Sequence, residues 1–102
     1  MSVLHLLAAP PRSPSTEAFW KEIQQELGSS QPVSAYLLHE GASALVDPRL
    51  TKFVSQGLRL FACPRAVESF APQSTTEIVL GGPGLLAELI ERCGSLKAYN
   101  PS

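Results

Sequence analysis

Short apolar segments alternate along the chain with amphipathic segments, and turn-forming residues separate them. Residues 3–9 are apolar except for His5 and are followed by Pro10 and Pro11, which predicts a strand buried on both faces. Four more strands are predicted at residues 33–39, 58–63, 77–80 and 96–99.

Segments with helical periodicity lie between these strands. The first helix presents Phe19, Trp20, Ile23 and Leu27 on one face. Ser15 or Thr16 is expected to cap it, and Gly28 ends it. The second helix has Asp47 as its N-cap, Pro48 in its first turn and Gly57 at its exit.

The second half of the chain continues this alternation. Residues 65–70 are long enough for one or two helical turns after Pro64, and a last helix ends at Gly94. Strands that alternate with helices form parallel sheets through right-handed crossovers. The sequence therefore predicts one α/β domain over residues 1–102, with helices on both faces of a five-stranded, mainly parallel sheet. We expect a flavodoxin-like strand order, 2-1-3-4-5.

Composition narrows the class of protein. Hydrophobic residues make up 44% of the 102 residues, and 8 basic against 9 acidic side chains give a net charge of −1, which argues against an electrostatic nucleic-acid binder. The two cysteines, Cys63 and Cys93, form no CxxC motif, which excludes a disulfide scaffold and a cysteine-rich zinc site. A reducing, cytoplasmic setting fits best. No apolar run approaches the roughly 20 residues of a membrane span.

The carboxyl ends of parallel strands are where such sheets collect ligands and chemistry. Cys63 ends the third predicted strand, and the helix that starts at Pro64 and the adjacent Arg65 would favour its thiolate form. Cys63 is therefore the candidate nucleophile, and the alternative is an inert, packed cysteine. His39 and Glu40 follow the second strand and could orient or protonate a molecule near Cys63, or they form a solvated turn.

Glycines follow the fourth strand. Gly81 and Gly82 precede Pro83 and Gly84 at a strand-to-helix turn, where backbone amides can bind phosphate. The spacing matches neither GxGxxG nor GxxxxGK[ST], so the alternative is an unusual backbone conformation. With two histidines and no His/Cys/Asp cluster, we expect no metal site.

Two further side chains are interpreted as structural. Cys93 is expected to pack at the end of the last helix. His5, inside an apolar strand, is expected to make one hydrogen bond in the interior or at a subunit contact.

The chain resembles the DsrE/DsrF-like family of sulfur-relay proteins, which includes the TusD and DsrH/TusB branches. The resemblance rests on the order of elements, on VSAYLLHEGA and GLRLFACP, and on the GG turn before the last helix. The family commonly has A-C-G-x-S and an Arg-Gly after its cysteine, whereas Pro64 and Arg65 follow Cys63 here. The resemblance implies a sulfur-carrying Cys63, sulfur donor and acceptor proteins, no cofactor, and a trimer, hexamer or hetero-oligomer with related subunits.

Three functions remain open at this point. The first is a sulfurtransferase or persulfide carrier that uses Cys63. The second is a non-catalytic subunit of the same fold that works through its oligomer surface. The third is a small-ligand or nucleotide-binding module that uses the glycine turn. Fold alone does not choose among them, because doubly wound sheets support unrelated functions.

Overall fold

The computed structural model describes residues 2–29, 31–73 and 78–101. The strands are β1 Val3–Leu7, β2 Val33–Leu37, β3 Arg59–Ala62, β4 Val79–Leu80 and β5 Ser95–Tyr99. The α-helices are α1 Pro14–Leu27, α2 Pro48–Ser55, α3 Pro64–Phe70 and α4 Pro83–Arg92. A 3₁₀ helix, His39–Val46, lies between β2 and α2. Glu77, the predicted first residue of the fourth strand, lies outside the described residues.

All strand pairs are parallel, and the sheet has the order β4-β3-β2-β1-β5. This confirms the predicted α/β fold with a five-stranded sheet, whereas the predicted order 2-1-3-4-5 is wrong. From β1 to β4 the chain steps in one direction, and the α4 crossover then returns it to the far side of β1. Both orders satisfy the right-handed crossover rule, so local sequence does not distinguish them. The observed order makes β2 and β4 the neighbours of β3.

The main core lies between α1, α2 and one face of the sheet. It consists mostly of buried apolar side chains from these elements, among them Leu7, Phe19, Ile23, Ala35, Leu50 and Phe53. Burying side chains of this size stabilises the fold by about 1.5 to 3 kcal/mol each. On the other face of the sheet, α4 shares a groove with Leu4, Ser34 and Phe61. None of the described helices is long and apolar enough to cross a membrane.

The start of α1 differs from the prediction. Ser13, and neither Ser15 nor Thr16, is the N-cap, and its hydroxyl accepts a hydrogen bond from the Thr16 amide at 3.2 Å. The Thr16 hydroxyl instead donates to the carbonyl of Pro10 at 2.8 Å. It therefore ties the first turn of the helix to the loop after β1, a contact that local sequence does not specify.

His5 is fully buried in β1 and is joined to α1 and β5 by side-chain hydrogen bonds. Its Nδ1 lies 2.8 Å from the Tyr99 hydroxyl, and its Nε2 lies 2.6 Å from a Glu26 carboxylate oxygen. Tyr99 in turn donates to Glu22, and Lys97 binds both glutamates. The prediction of a hydrogen-bonded interior histidine is confirmed, with two partners where one was expected. Burial lowers the pKa of His5, and the neighbouring Glu26 carboxylate opposes that effect.

The ends of α2 agree with the prediction. The Asp47 carboxylate accepts a hydrogen bond from the Arg49 amide at 2.9 Å, and the Arg49 guanidinium binds the same carboxylate at 3.1 and 2.8 Å. Pro48 occupies the first turn, and Gly57 takes a φ of 109° just beyond the helix. A positive φ is accessible to glycine without steric cost, which explains the sharp exit into β3.

Replacing Asp47 tests this cap and its pH dependence. Hydrogen bonds from Arg49 hold the pKa of Asp47 below its ordinary value of 3.8, so its contribution to stability is present above that pH and is lost as the pH falls further. We expect Asp47→Ala to lower the free energy of unfolding by about 1 kcal/mol at pH 7. Asp47→Asn keeps a capping oxygen but loses the charge. The difference in the free energy of unfolding between this variant and the wild type should therefore shrink as the pH falls below 3.8. Urea denaturation at pH 7 and at a series of lower pH values measures both effects. A difference between Asp47→Asn and the wild type that grows as the pH falls would contradict this account.

Candidate functional site

Cys63 lies at the carboxyl end of β3 and is the N-cap residue of α3. Its amide donates to the Leu37 carbonyl at the end of β2, and its carbonyl accepts from the Val67 amide in α3, at 3.0 and 3.1 Å. The backbone on both sides of the thiol is therefore fixed by regular structure. The thiol is free and the residue is partly exposed, so it is neither walled in by the core nor fully solvated.

A cavity of about 440 Å³ opens beside this thiol. Its walls come from the ends of β2 and β3, from both ends of α3 and from the first turn of α4. Most of the lining residues are apolar. The others include His39 and Arg65, which follow β2 and Cys63 in the sequence. The lining residues are Tyr36, Leu38, His39, Cys63, Arg65, Ala66, Ser69, Phe70, Pro83 and Leu86. The cavity thus joins four parts of the chain around one sulfur atom.

Tyr36 is the buried polar group of this cavity. Its hydroxyl donates to the Gly81 carbonyl at 2.6 Å, across the end of β3. Burial raises the pKa of Tyr36, and the adjacent Cys63, which also hydrogen-bonds the hydroxyl, raises it further. Tyr36 therefore stays protonated at neutral pH, and its hydroxyl remains a hydrogen-bonding group beside the sulfur atom.

The observed strand order explains why His39 and Cys63 meet. In the predicted order 2-1-3-4-5, β1 would separate β2 from β3 and keep the two residues apart. Because β2 and β3 are neighbours, His39 and Cys63 line one cavity. Glu40 is exposed and is not among the described lining residues, so the structure separates the predicted His39 and Glu40 pair at this site.

His39 has a backbone conformation that residues other than glycine rarely adopt. Its φ is 51°, in the left-handed region, at the first residue of the 3₁₀ helix. This conformation costs an L-residue roughly 1 to 2 kcal/mol. Strained residues of this kind cluster at functional sites, where the surrounding structure maintains them.

Replacing His39 by glycine is expected to remove this cost. We expect His39→Gly to raise the free energy of unfolding by up to about 1 kcal/mol, because glycine adopts the left-handed region freely. His39→Ala keeps the strain and also loses the imidazole, so it should not stabilise the protein. Thermal and urea denaturation of the two variants measure the difference. Equal stabilities would contradict the presence of strain at this position.

The glycine turn after β4 is occupied by contacts within the fold. The Gly81 amide donates to the Ala62 carbonyl at 3.1 Å, while its carbonyl accepts from Tyr36. Gly82 is the N-cap residue of α4, and a Cβ added there would meet no atom within 4 Å. The turn therefore fastens β4 and α4 to the sheet beside Cys63.

Tyr36, Phe70 and Leu86 belong to the cavity but were not selected from the sequence. Tyr36 stands in an apolar strand, where alternation assigns it to the sheet face opposite the main core, and strand order decides what it meets. Leu86 lies in α4, and helical periodicity does not specify which part of the fold that helix meets. Only the tertiary arrangement brings these side chains to Cys63.

A second cavity, of about 460 Å³, lies between α1, α2 and the loop after β1. Arg12 and Arg49 are the cations of its described lining, and Arg49 is paired with Asp47 and lies 4.5 Å from the centre of the Trp20 ring. Arg49 is therefore already satisfied within the protein, whereas the Cys63 cavity contains a free thiol. Cys93 is not among the described residues that line either cavity, and its thiol donates to the Ile90 carbonyl at 3.2 Å at the end of α4.

Comparisons with known proteins support the fold. No family model matches the sequence, and no curated protein matches it. The ychN protein from E. coli is similar in structure, with a TM-score of 0.74 and 12% identity over 96% of this chain and 97% of that chain. A conserved protein of unknown function from Bacteroides thetaiotaomicron gives a TM-score of 0.73 and 14% identity over 94% and 93% of the two chains. The chain therefore has the fold of these two structures.

Proposed function

We propose that this protein accepts sulfane sulfur on Cys63 as a persulfide and passes it to a partner protein. The observation that carries the proposal is a free, partly exposed thiol at the carboxyl end of β3 that opens into a cavity. Sheets of this type place their chemistry at this edge. The shared fold and the sequence resemblance to sulfur-relay proteins support the same assignment.

The reaction needs a thiolate and no oxidant. The Cys63 thiolate attacks the outer sulfur of a donor R–S–SH, so that a Cys63–S bond forms, the donor S–S bond breaks and R–S⁻ leaves. A partner thiolate then attacks the outer sulfur of the Cys63 persulfide, takes that sulfur and releases the Cys63 thiolate. Charge balances in both steps. No metal or organic cofactor is required.

Residues around Cys63 are assigned supporting roles. The Arg65 guanidinium in the cavity lining favours the approach of anionic sulfur species, and the His39 imidazole adds a hydrogen-bonding group. The Tyr36 hydroxyl can turn from the Gly81 carbonyl to donate to a negatively charged sulfur. Gly81 and Gly82 position this region through the backbone. Glu40 lies outside the described lining, so the proposal assigns it no part.

The proposal includes assembly with other subunits in a reducing, cytoplasmic setting. Apolar side chains outside the main core are exposed on β4, α4 and β5, namely Val79, Leu80, Ile90 and Leu96. Val79 and Leu80 lie on one edge strand of the sheet and Leu96 lies on the other, so they form separate exposed apolar surfaces. Exposed apolar surfaces are typical of protein interaction sites. This supports the homo-oligomer or hetero-oligomer that the sequence resemblance implies.

Intact mass spectrometry tests the proposal. After incubation with polysulfide and removal of excess reagent, the wild type and Cys93→Ser should each gain one sulfur atom. Cys63→Ser should gain none while keeping its fold and oligomeric state. If the folded wild type gains no sulfur, the non-catalytic subunit becomes the better function, and pull-down should then recover related subunits.

A further inference from the structure

The cavity beside Cys63 has more apolar surface than sulfur transfer itself requires. Its walls include Leu38, Ala66, Phe70, Pro83 and Leu86, all apolar. An inorganic polysulfide or thiosulfate is small and strongly hydrated, and it gains nothing from contact with such walls. A volume of about 440 Å³ instead suits an organic molecule, since small-molecule sites measure about 300 to 1,000 Å³.

The charge of the lining is also one-sided. Arg65 and His39 are its basic members, and the described lining contains no carboxylate. None of the ion pairs among the described residues involves Arg65. Arg65 is exposed, so its guanidinium is available at the mouth of the cavity to bind an anionic group. The walls therefore favour an apolar part of a ligand, and Arg65 at the mouth favours an anionic part of the same ligand.

We infer that the sulfur donor is a low-molecular-weight organic persulfide with an apolar body and an anionic group. The apolar body lies against Phe70 and Leu86, the anionic group faces Arg65, and the outer sulfur reaches Cys63. This inference rests on the proposed function and narrows it, because it assigns the donor to a chemical class. The transfer is the one written above: the donor leaves as its thiolate, and no oxidant or reductant takes part.

Matched donors separate the two features of the ligand. The first donor is the persulfide of 2-sulfanyl-3-phenylpropanoic acid, the second replaces its benzyl group by methyl, and the third replaces its carboxylate by an amide. The rate of sulfur gain on Cys63 is followed by intact mass in the Cys93→Ser background. We expect the first donor to react about tenfold faster than the second, because its phenyl group is buried in the cavity. It should react severalfold faster than the third, because its carboxylate faces Arg65.

Variants assign each preference to its residue. Leu86→Ser should reduce the preference for the phenyl group. Phe70→Ser should have the same effect, and it replaces Leu86→Ser in the test if that variant does not fold. Arg65→Gln should reduce only the preference for the carboxylate. Val46→Ser and Arg12→Gln alter exposed residues outside this cavity and should leave both preferences unchanged.

The outcomes distinguish this inference from the proposed function. Sulfur gain at equal rates from all three donors, or preferences that the cavity variants do not change, would overturn the donor class while the persulfide function stands. Absence of sulfur gain from all three donors in a protein that polysulfide still loads would also overturn the donor class alone. Absence of sulfur gain from polysulfide as well would overturn both.

Discussion

Replacing Gly41 by alanine is expected to lower the free energy of unfolding by about 3 kcal/mol or more, or to prevent folding. A Cβ at this position would lie 2.0 Å from the Leu7 carbonyl oxygen and 2.6 Å from its carbon. That carbonyl cannot move away freely, because it accepts a hydrogen bond from the Leu38 amide at 3.0 Å. The 3₁₀ helix after β2 therefore contacts the end of β1 so closely that only glycine fits at position 41.

Gly84→Ala is the matched control for this substitution. A Cβ at Gly84 would meet no atom within 4 Å, and the residue lies in the first turn of α4. Alanine there should be neutral or stabilise by up to about 1 kcal/mol, because it reduces the entropy of the unfolded chain. Urea denaturation of both variants compares them directly. A Gly41→Ala protein as stable as Gly84→Ala would show that the close approach to Leu7 is wrong.

Removal of the Glu26 side chain is expected to have the second-largest effect. Glu26→Ala leaves the Nε2 atom of the fully buried His5 without its partner at 2.6 Å. An unsatisfied buried polar group costs roughly 1 to 3 kcal/mol, so we expect a loss of about 2 kcal/mol in the free energy of unfolding. Glu26→Gln should lose much less, since its side-chain amide both donates and accepts and can pair with either form of the imidazole.

Glu88→Ala is the control, because it removes a helix glutamate whose partner is exposed and not buried. Glu88 pairs with Arg92 on the surface of α4 at 2.8 Å. Pairs of this kind contribute about 0.5 kcal/mol or less. Equal losses in Glu26→Ala and Glu88→Ala, measured by urea denaturation, would exclude a stabilising role for the contact between α1 and His5.

Local sequence predicted those features of the fold that depend on neighbouring residues. The cap of α2 at Asp47 and its exit at Gly57 were correct, because both act within one turn of the chain. The cap of α1 was wrong, since Ser13 competes with Ser15 and Thr16 and a contact to Pro10 decides between them. The strand order was wrong because crossover handedness allows more than one order.

The candidate site was accessible to sequence reasoning only in part. Cys63 was placed correctly at the carboxyl end of β3, since Pro64 marks the end of that strand. Its reactivity stays a prediction. The approach of Tyr36 and of α4 to the thiol depends on strand order and on the α4 crossover, which bring distant parts of the chain together. Such long-range contacts carry no local signal.

Cyanolysis of the sulfur-loaded protein tests most directly whether Cys63 carries transferable sulfur. Cyanide removes the outer sulfur of a persulfide as thiocyanate, so its yield counts the transferable sulfur atoms per chain. After loading with polysulfide and desalting, Cys93→Ser should release about one thiocyanate per chain, and Cys63→Ser should release almost none. Equal yields from the two variants, or no thiocyanate from a folded Cys93→Ser protein, would contradict the assignment of sulfur transfer to Cys63.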